Sequence, residues 1–98
     1  MSNAFEIAKA GVRHAGTYER FKSARIPEIE KSICSLTRRV SEHEDKIKNP
    51  GCYVEPTISP LHLEDLVSRY WPNEIADLLD KISILEGILE ERQHGRAS

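Results

Sequence analysis

Six positions constrain this 98-residue chain more than anything else in it: Ile29, Ile33, Leu36, Val40, His43 and Ile47 follow one another at steps of 4, 3, 4, 3 and 4. That spacing keeps one stripe of an α-helix turned toward a partner over about three heptads. Glu28, Lys31, Arg38, Arg39, Glu42, Asp45 and Lys46 cover its other faces. Pro27 suits a first helical turn, and the "NPG" run at 49–51 stops the pattern, so a long helix from Pro27 to about Asn49 is predicted. A histidine, His43, stands where the stripe calls for an apolar residue.

A partner stripe lies near the other end of the chain. Ile75, Leu78, Ile82, Leu85 and Leu89 recur at steps of 3, 4, 3 and 4, and Leu79, Ile84 and Ile88 widen the apolar surface to a second side. Pro72 marks the start, predicting a second long helix over 73–92 that is buried against more than one neighbour. Between the two, Asn49 to Pro60 carries three prolines and a glycine and reads as a loop, with Tyr53, Val54 and Ile58 packing it onto the helices. Ser59-Pro60 then caps a short helix whose apolar face is Leu63, Leu66, Val67 and Tyr70. Tyr70 and Trp71 read as core anchors before they read as a base-stacking platform. At the front, "FEIAKAG" gives a short helix ended by Gly11, and a second runs from Thr17 as N-cap to about Ser23, leaving Arg13 to Gly16 as the turn.

These elements predict an all-α domain, an antiparallel pair of long helices with short helices packed across it. At this length only one modest core is available, so residues 5–95 form a single domain. Met1 to Ala4 reads as an expression-tag remnant and residues 96–98 as a frayed tail. No apolar run nears the roughly 18 residues of a membrane span and no signal peptide is seen, so no stable membrane association is expected. Cys34 and Cys52 are separated by too much helix for an easy bridge and read as free thiols from a reducing compartment, with Cys34 a small packing residue.

Charge is unevenly placed. Net charge is −2 overall, but residues 1–26 carry five basic against two acidic side chains, whereas residues 50–98 carry four against nine. The basic end holds "GVRHAGTYERF", Gly11 to Phe21, where two glycines bracket Arg13-His14 and no hydrophobic period runs.

His14, His43, His62, His94 and the two cysteines show none of the ligand spacings of a zinc site, and the glycine-rich nucleotide loops are missing, so neither metal nor cofactor is expected. A histidine titrating near neutrality beside cations can move a proton at a phosphodiester. RNA cleavage needs little more, because the 2′-hydroxyl is the nucleophile. On this reading His14 is the catalytic acid or base, with Tyr18 or His43 assisting. Lys9, Arg13, Arg20 and Lys22 hold the phosphate, and Gly11 and Gly16 admit backbone amides to it. The competing reading makes His14 a hydrogen-bonded turn residue and His43 a core-edge histidine satisfied by a carboxylate or carbonyl.

Three stretches carry a resemblance: "AKAGxRHAGxY" at 8–18, "IEKSIxSLxxxVxEHxDKIxNP" at 29–50 and "WPNEIxxxxxKIxILEGILEER" at 71–92. Together they resemble the C-terminal effector domains of bacterial polymorphic toxins, including those of contact-dependent growth inhibition, filamentous-haemagglutinin-like and Rhs-type proteins. This chain departs from that pattern at Val12, where the family run has a glycine. The resemblance implies a cassette delivered as part of a larger secreted or cell-surface toxin, acting in the cytoplasm of a target bacterium and matched by a cognate immunity protein. RNA is then the expected substrate. The alternative function is a non-catalytic helical protein-interaction module whose stripes serve a partner.

Overall fold

The computed structural model describes the backbone of residues 4–97 and the side chains of residues 4–93. Most of the expected tag remnant and the last residue of the expected tail lie outside that range, as does the side chain of His94. The chain is all-α. In order it forms α1 (Ala4–Lys9), α2 (Ala15–Phe21), α3 (Ile26–Lys48), a 3-10 turn (Pro50–Cys52), α4 (Pro60–Asp65), a π-helical turn (Leu66–Tyr70) and α5 (Trp71–Ala97). α3 and α5 pack as an antiparallel hairpin. The end of α3 meets the start of α5 through His43 and Glu74, and Ala24, just before α3, accepts a hydrogen bond from Arg92.

Packing explains the stripes. Ile29, Ile84, Leu85 and Ile88 are enclosed with Ala8, and Phe5, Tyr18, Phe21, Ile33, Leu36 and Leu89 close around them. Enclosing each of the larger side chains contributes about 1.5–3 kcal/mol. This core therefore joins α1, α2, the first half of α3 and the second half of α5. Gly87 makes the joint possible, because a Cβ there would collide with the ring of Phe5.

Helix starts differ from expectation in two places. α2 begins at Ala15, not after Thr17: the amides of Thr17 and Tyr18 both donate to the carbonyl of His14, at 3.0 and 3.3 Å, so His14 is the N-cap and Gly16 is helical. Only Gly11 (φ 87°) and His14 (φ 62°) have positive φ among the described residues. Gly11 ends α1 in a Schellman turn, its amide bonded to Ala8 and that of Val12 bonded to Ile7. Val12 takes its place there with φ negative and its side chain 68% exposed, so valine does not strain this turn.

Pro72, read as a fresh helix start, instead sits inside one continuous run from α4 into α5. A proline has no N–H and crowds the carbonyl four residues earlier. The backbone meets this with the π turn just upstream, where the Trp71 amide donates to Leu66, five residues back. The wider turn advances the helix by about one residue. Tyr70 is thereby taken off the apolar face predicted for it and is 55% exposed, whereas Trp71 is buried at 6%. Cys34 and Cys52 are free thiols, and both are exposed, so Cys34 is not a packing residue. Ser59 caps α4 as expected, accepting from the amide of His62. Tyr53 is exposed and holds its loop by donating to Asp45, while Val54 and Ile58 are half-buried. α5 extends to Ala97, past the end predicted near residue 92. Among the described residues no helix is long and apolar enough to cross a membrane.

Candidate active site

The turn from α1 to α2 delivers Arg13 and His14 to one face of α5. Ala15 donates to Val12 across four residues, which makes His14 the third residue of a tight turn, in the left-handed region that favours glycine or asparagine. A histidine there costs backbone energy of order 1–3 kcal/mol, tolerated only where its surroundings hold it. They do: its side chain is 14% exposed, and its Nε2 lies 3.0 Å from Asp77 Oδ1 and 3.8 Å from Asp80 Oδ2. Neither carboxylate stands in line for a directed hydrogen bond to that enclosed nitrogen. The contact is one of charge, effective when the ring carries its second proton.

Arg13 bridges the same two carboxylates, donating from its terminal nitrogen to Asp77 at 3.3 Å with its Nε 3.5 Å from Asp80. One of its five N–H donors is thus engaged in a hydrogen bond, and the side chain stays 63% exposed. Lys81 approaches the other oxygen of Asp77 at 3.5 Å.

One turn earlier on α5, Glu74 lies 3.5 Å from Nε2 of His43, whose Nδ1 faces the Arg39 carbonyl at 2.9 Å. His43 is buried, and its contacts are those of a histidine at the core edge. Residues 74 and 77 share a helix face, about 5–6 Å apart at Cβ. The two histidines therefore do not meet but address successive turns of α5. An open groove of about 420 Å³ runs beside them, lined by Arg13, Tyr70, Asn73, Glu74 and Asp77.

The other cations expected at a phosphate are occupied elsewhere. Lys9 pairs with Glu91, and the hydrogen bond it donates to that carboxylate holds its amine above the usual lysine range. Lys22 pairs with Glu19, again with its amine raised by the hydrogen bond. Arg20 lies over the Phe21 ring, 5.1 Å from its centre. Tyr18 packs edge-on against Phe5, with ring centres 6.0 Å apart. Gly11 spends its amide in the Schellman turn, and Gly16 lies in the first turn of α2 and not in an open loop.

Reasoning from the sequence missed Asp77, Asp80, Glu74 and Asn73, and it read Tyr70 as a core anchor before a stacking surface, whereas Tyr70 is exposed. The signal for the acids was the "E-x-x-D-x-x-D" run at 74–80, three carboxylates at helical spacing that leave room for a cationic neighbour. Among the described residues no group of three or more His, Cys, Asp or Glu side chains is placed to hold a metal ion. Comparison with protein-family models, with curated proteins and with solved structures finds no match to this chain.

Proposed function

We propose that this chain is a toxin effector domain that cleaves RNA by metal-independent acid–base chemistry at His14. The observation that carries the reading is the conformation of His14 itself. A histidine is held at φ 62°, enclosed against Asp77 and beside a groove, at a turn position where glycine or asparagine would be less strained. Strain of this kind concentrates where a side chain is needed for chemistry.

In this reading Asp77 balances the charge the imidazole acquires, through a 3.0 Å charge contact and without a directed hydrogen bond. His14 accepts the proton of a 2′-hydroxyl. The 2′-oxygen bonds to the adjacent phosphorus and the bond to the 5′-oxygen breaks, leaving a 2′,3′-cyclic phosphate. The departing oxygen takes a proton from water in the open groove. Arg13 offers its unengaged N–H groups to the phosphate. Lys9 instead anchors α1 to α5, Tyr18 supports the turn from the core side, and His43 holds Glu74. Delivery from a larger secreted toxin, action in the target cytoplasm and a cognate immunity protein complete the proposal, and all rest on the resemblance described above.

His14→Asn is the sharpest test, because asparagine tolerates the left-handed turn yet carries no proton at neutral pH. Purified protein incubated with total RNA in EDTA is expected to cut it. His14→Ala and His14→Asn should both lose at least about a hundredfold, the usual worth of a positioned acid or base. Intact RNA at high protein concentration, or full activity in His14→Asn, would overturn the reading in favour of an interaction module. Expression in cells without an immunity protein gives the parallel result, growth arrest for the parent and normal growth for both variants.

A further inference from the structure

We infer that the groove beside His14 is a recognition subsite for a guanine base of single-stranded RNA, stacked on Tyr70 and read by Asn73 and Glu74. The inference deepens the ribonuclease reading and rests on it for RNA as the ligand.

Tyr70 is the first argument. The face that precedes it, Leu63, Leu66 and Val67, is half-buried, and an unbroken α-period would have turned Tyr70 inward with them. The π turn that ends at Tyr70 removes it from that face and leaves the ring in the wall of the groove. Such turns recur at functional sites. An exposed aromatic face beside a phosphodiester-cutting group is what single-stranded bases stack on.

The second argument is the order of polar groups that follows. Tyr70, Asn73, Glu74 and Asp77 stand at steps of 3, 1 and 3 on one helix face, and all four line the groove with Arg13. The Asn73 amide can donate, whereas the Glu74 carboxylate can only accept. Guanine is the base whose pairing edge answers that order, with an oxygen acceptor at O6 followed by two adjacent donors at N1 and N2. Uracil offers one such donor flanked by acceptors, and adenine and cytosine present an acceptor where the carboxylate would need a donor. His43, 3.5 Å behind Glu74, orients that carboxylate, so the core-edge histidine becomes a positioning residue for base recognition. The groove volume of about 420 Å³ falls in the range of small-ligand sites. Arg13 at its rim lies on the side of His14, where the phosphate of the bound nucleotide would run.

Binding of guanosine 3′-monophosphate, followed by NMR on the Tyr70 ring and the Asn73 side-chain amide, tests this without any cleavage. The expected result is a shift of both sets of signals, with adenosine, cytidine and uridine 3′-monophosphates binding at least about fivefold more weakly. Tyr70→Ala should weaken the guanosine nucleotide roughly tenfold, Tyr70→Phe should keep it within about threefold, and Asn73→Ala should narrow the preference for guanine over adenine without reversing it. Equal binding of all four nucleotides, binding matched by inorganic phosphate, or unchanged binding in Tyr70→Ala overturns the subsite. The two readings fail separately. Guanine-selective binding with no RNA cut removes the ribonuclease and leaves the subsite. Cleavage by parent and Tyr70→Ala after the same residues removes the subsite and leaves the ribonuclease.

Discussion

Two regions meet α5, and they are held to it by different means. Along α3 the facing residues are apolar and evenly spaced, ending in enclosed side chains such as Ile29 and Val40. Along residues 4–25 apolar contacts from Phe5 and Ala8 alternate with charged ones. Arg13 reaches Asp77 across 64 positions, Lys9 reaches Glu91 across 82, and Arg92 reaches back 68 to the Ala24 carbonyl. Burial of the first kind is strong and indifferent to direction. Ion pairs on a surface add little stability each, but they fix where a group sits. The hairpin therefore supplies the stability, and the N-terminal arm is placed on it with a strained residue, His14, at its turn.

The largest expected effect comes from removing a side chain shared by both regions. Leu85→Ala, like Ile29→Ala, empties an enclosed site at the joint of α1, α2, α3 and α5 and should cost about 2–5 kcal/mol. Thermal and denaturant unfolding should then show the midpoints of arm and hairpin both lowered, because the emptied site is shared by both. If the arm melts first while the hairpin stays, the joint is less shared than its packing indicates.

Gly87→Ala separates the two regions. The added methyl enters space held most closely by the Phe5 side chain, so overpacking of about 1–3 kcal/mol should fall first on the arm. The Phe5 and Tyr18 ring contact should disappear from NMR spectra and RNA cutting should fall with it, while the helical signal of the hairpin stays near that of the parent. Loss of the hairpin at the same temperature would make the two regions one cooperative unit.

The same contrast decides what the sequence discloses. Ile29 to Ile47 and Ile75 to Leu89 announce a hairpin because their partners repeat at a fixed local period, and the boundaries at Pro27, Asn49 and Ser59 follow from capping chemistry. His14 and Arg13 are visible as odd residues, but Asp77 and Asp80 are not, because nothing local links positions 63 or more apart. Gly87 looks like a flaw in a helix until Phe5 is seen against it. Tyr70 is misread for a subtler reason: the apolar count is right, and the π turn that Pro72 provokes shifts the phase by one residue after the count is made. Both arm and groove thus become legible only through the elements they touch.

The smallest effect lies at the far end of the hairpin, where the start of the loop after α3 is tied by polar contacts. Asp45 accepts from the Tyr53 hydroxyl and, at 3.2 Å, from the Asn49 amide. The bond from Tyr53 first, then that from Asn49, holds the Asp45 carboxyl below the usual range, and the same bond to Asp45 holds the Tyr53 hydroxyl above its own. A lowered carboxyl stabilises the fold above its unfolded value near 4 and loses that effect as pH falls through the folded value. A raised hydroxyl stabilises below its unfolded value near 10 and loses the effect as pH rises through the folded one. Tyr53→Phe should therefore lower the melting temperature slightly between about pH 4 and 10, and the difference should fade beyond either limit. In the variant the Asp45 titration should move up toward the ordinary carboxylate range, with RNA cutting unchanged because His14 lies on the arm. A melting difference that persists at pH 2 would assign the effect to packing of the ring, and would make this loop resemble the α3 side of the molecule more than the arm.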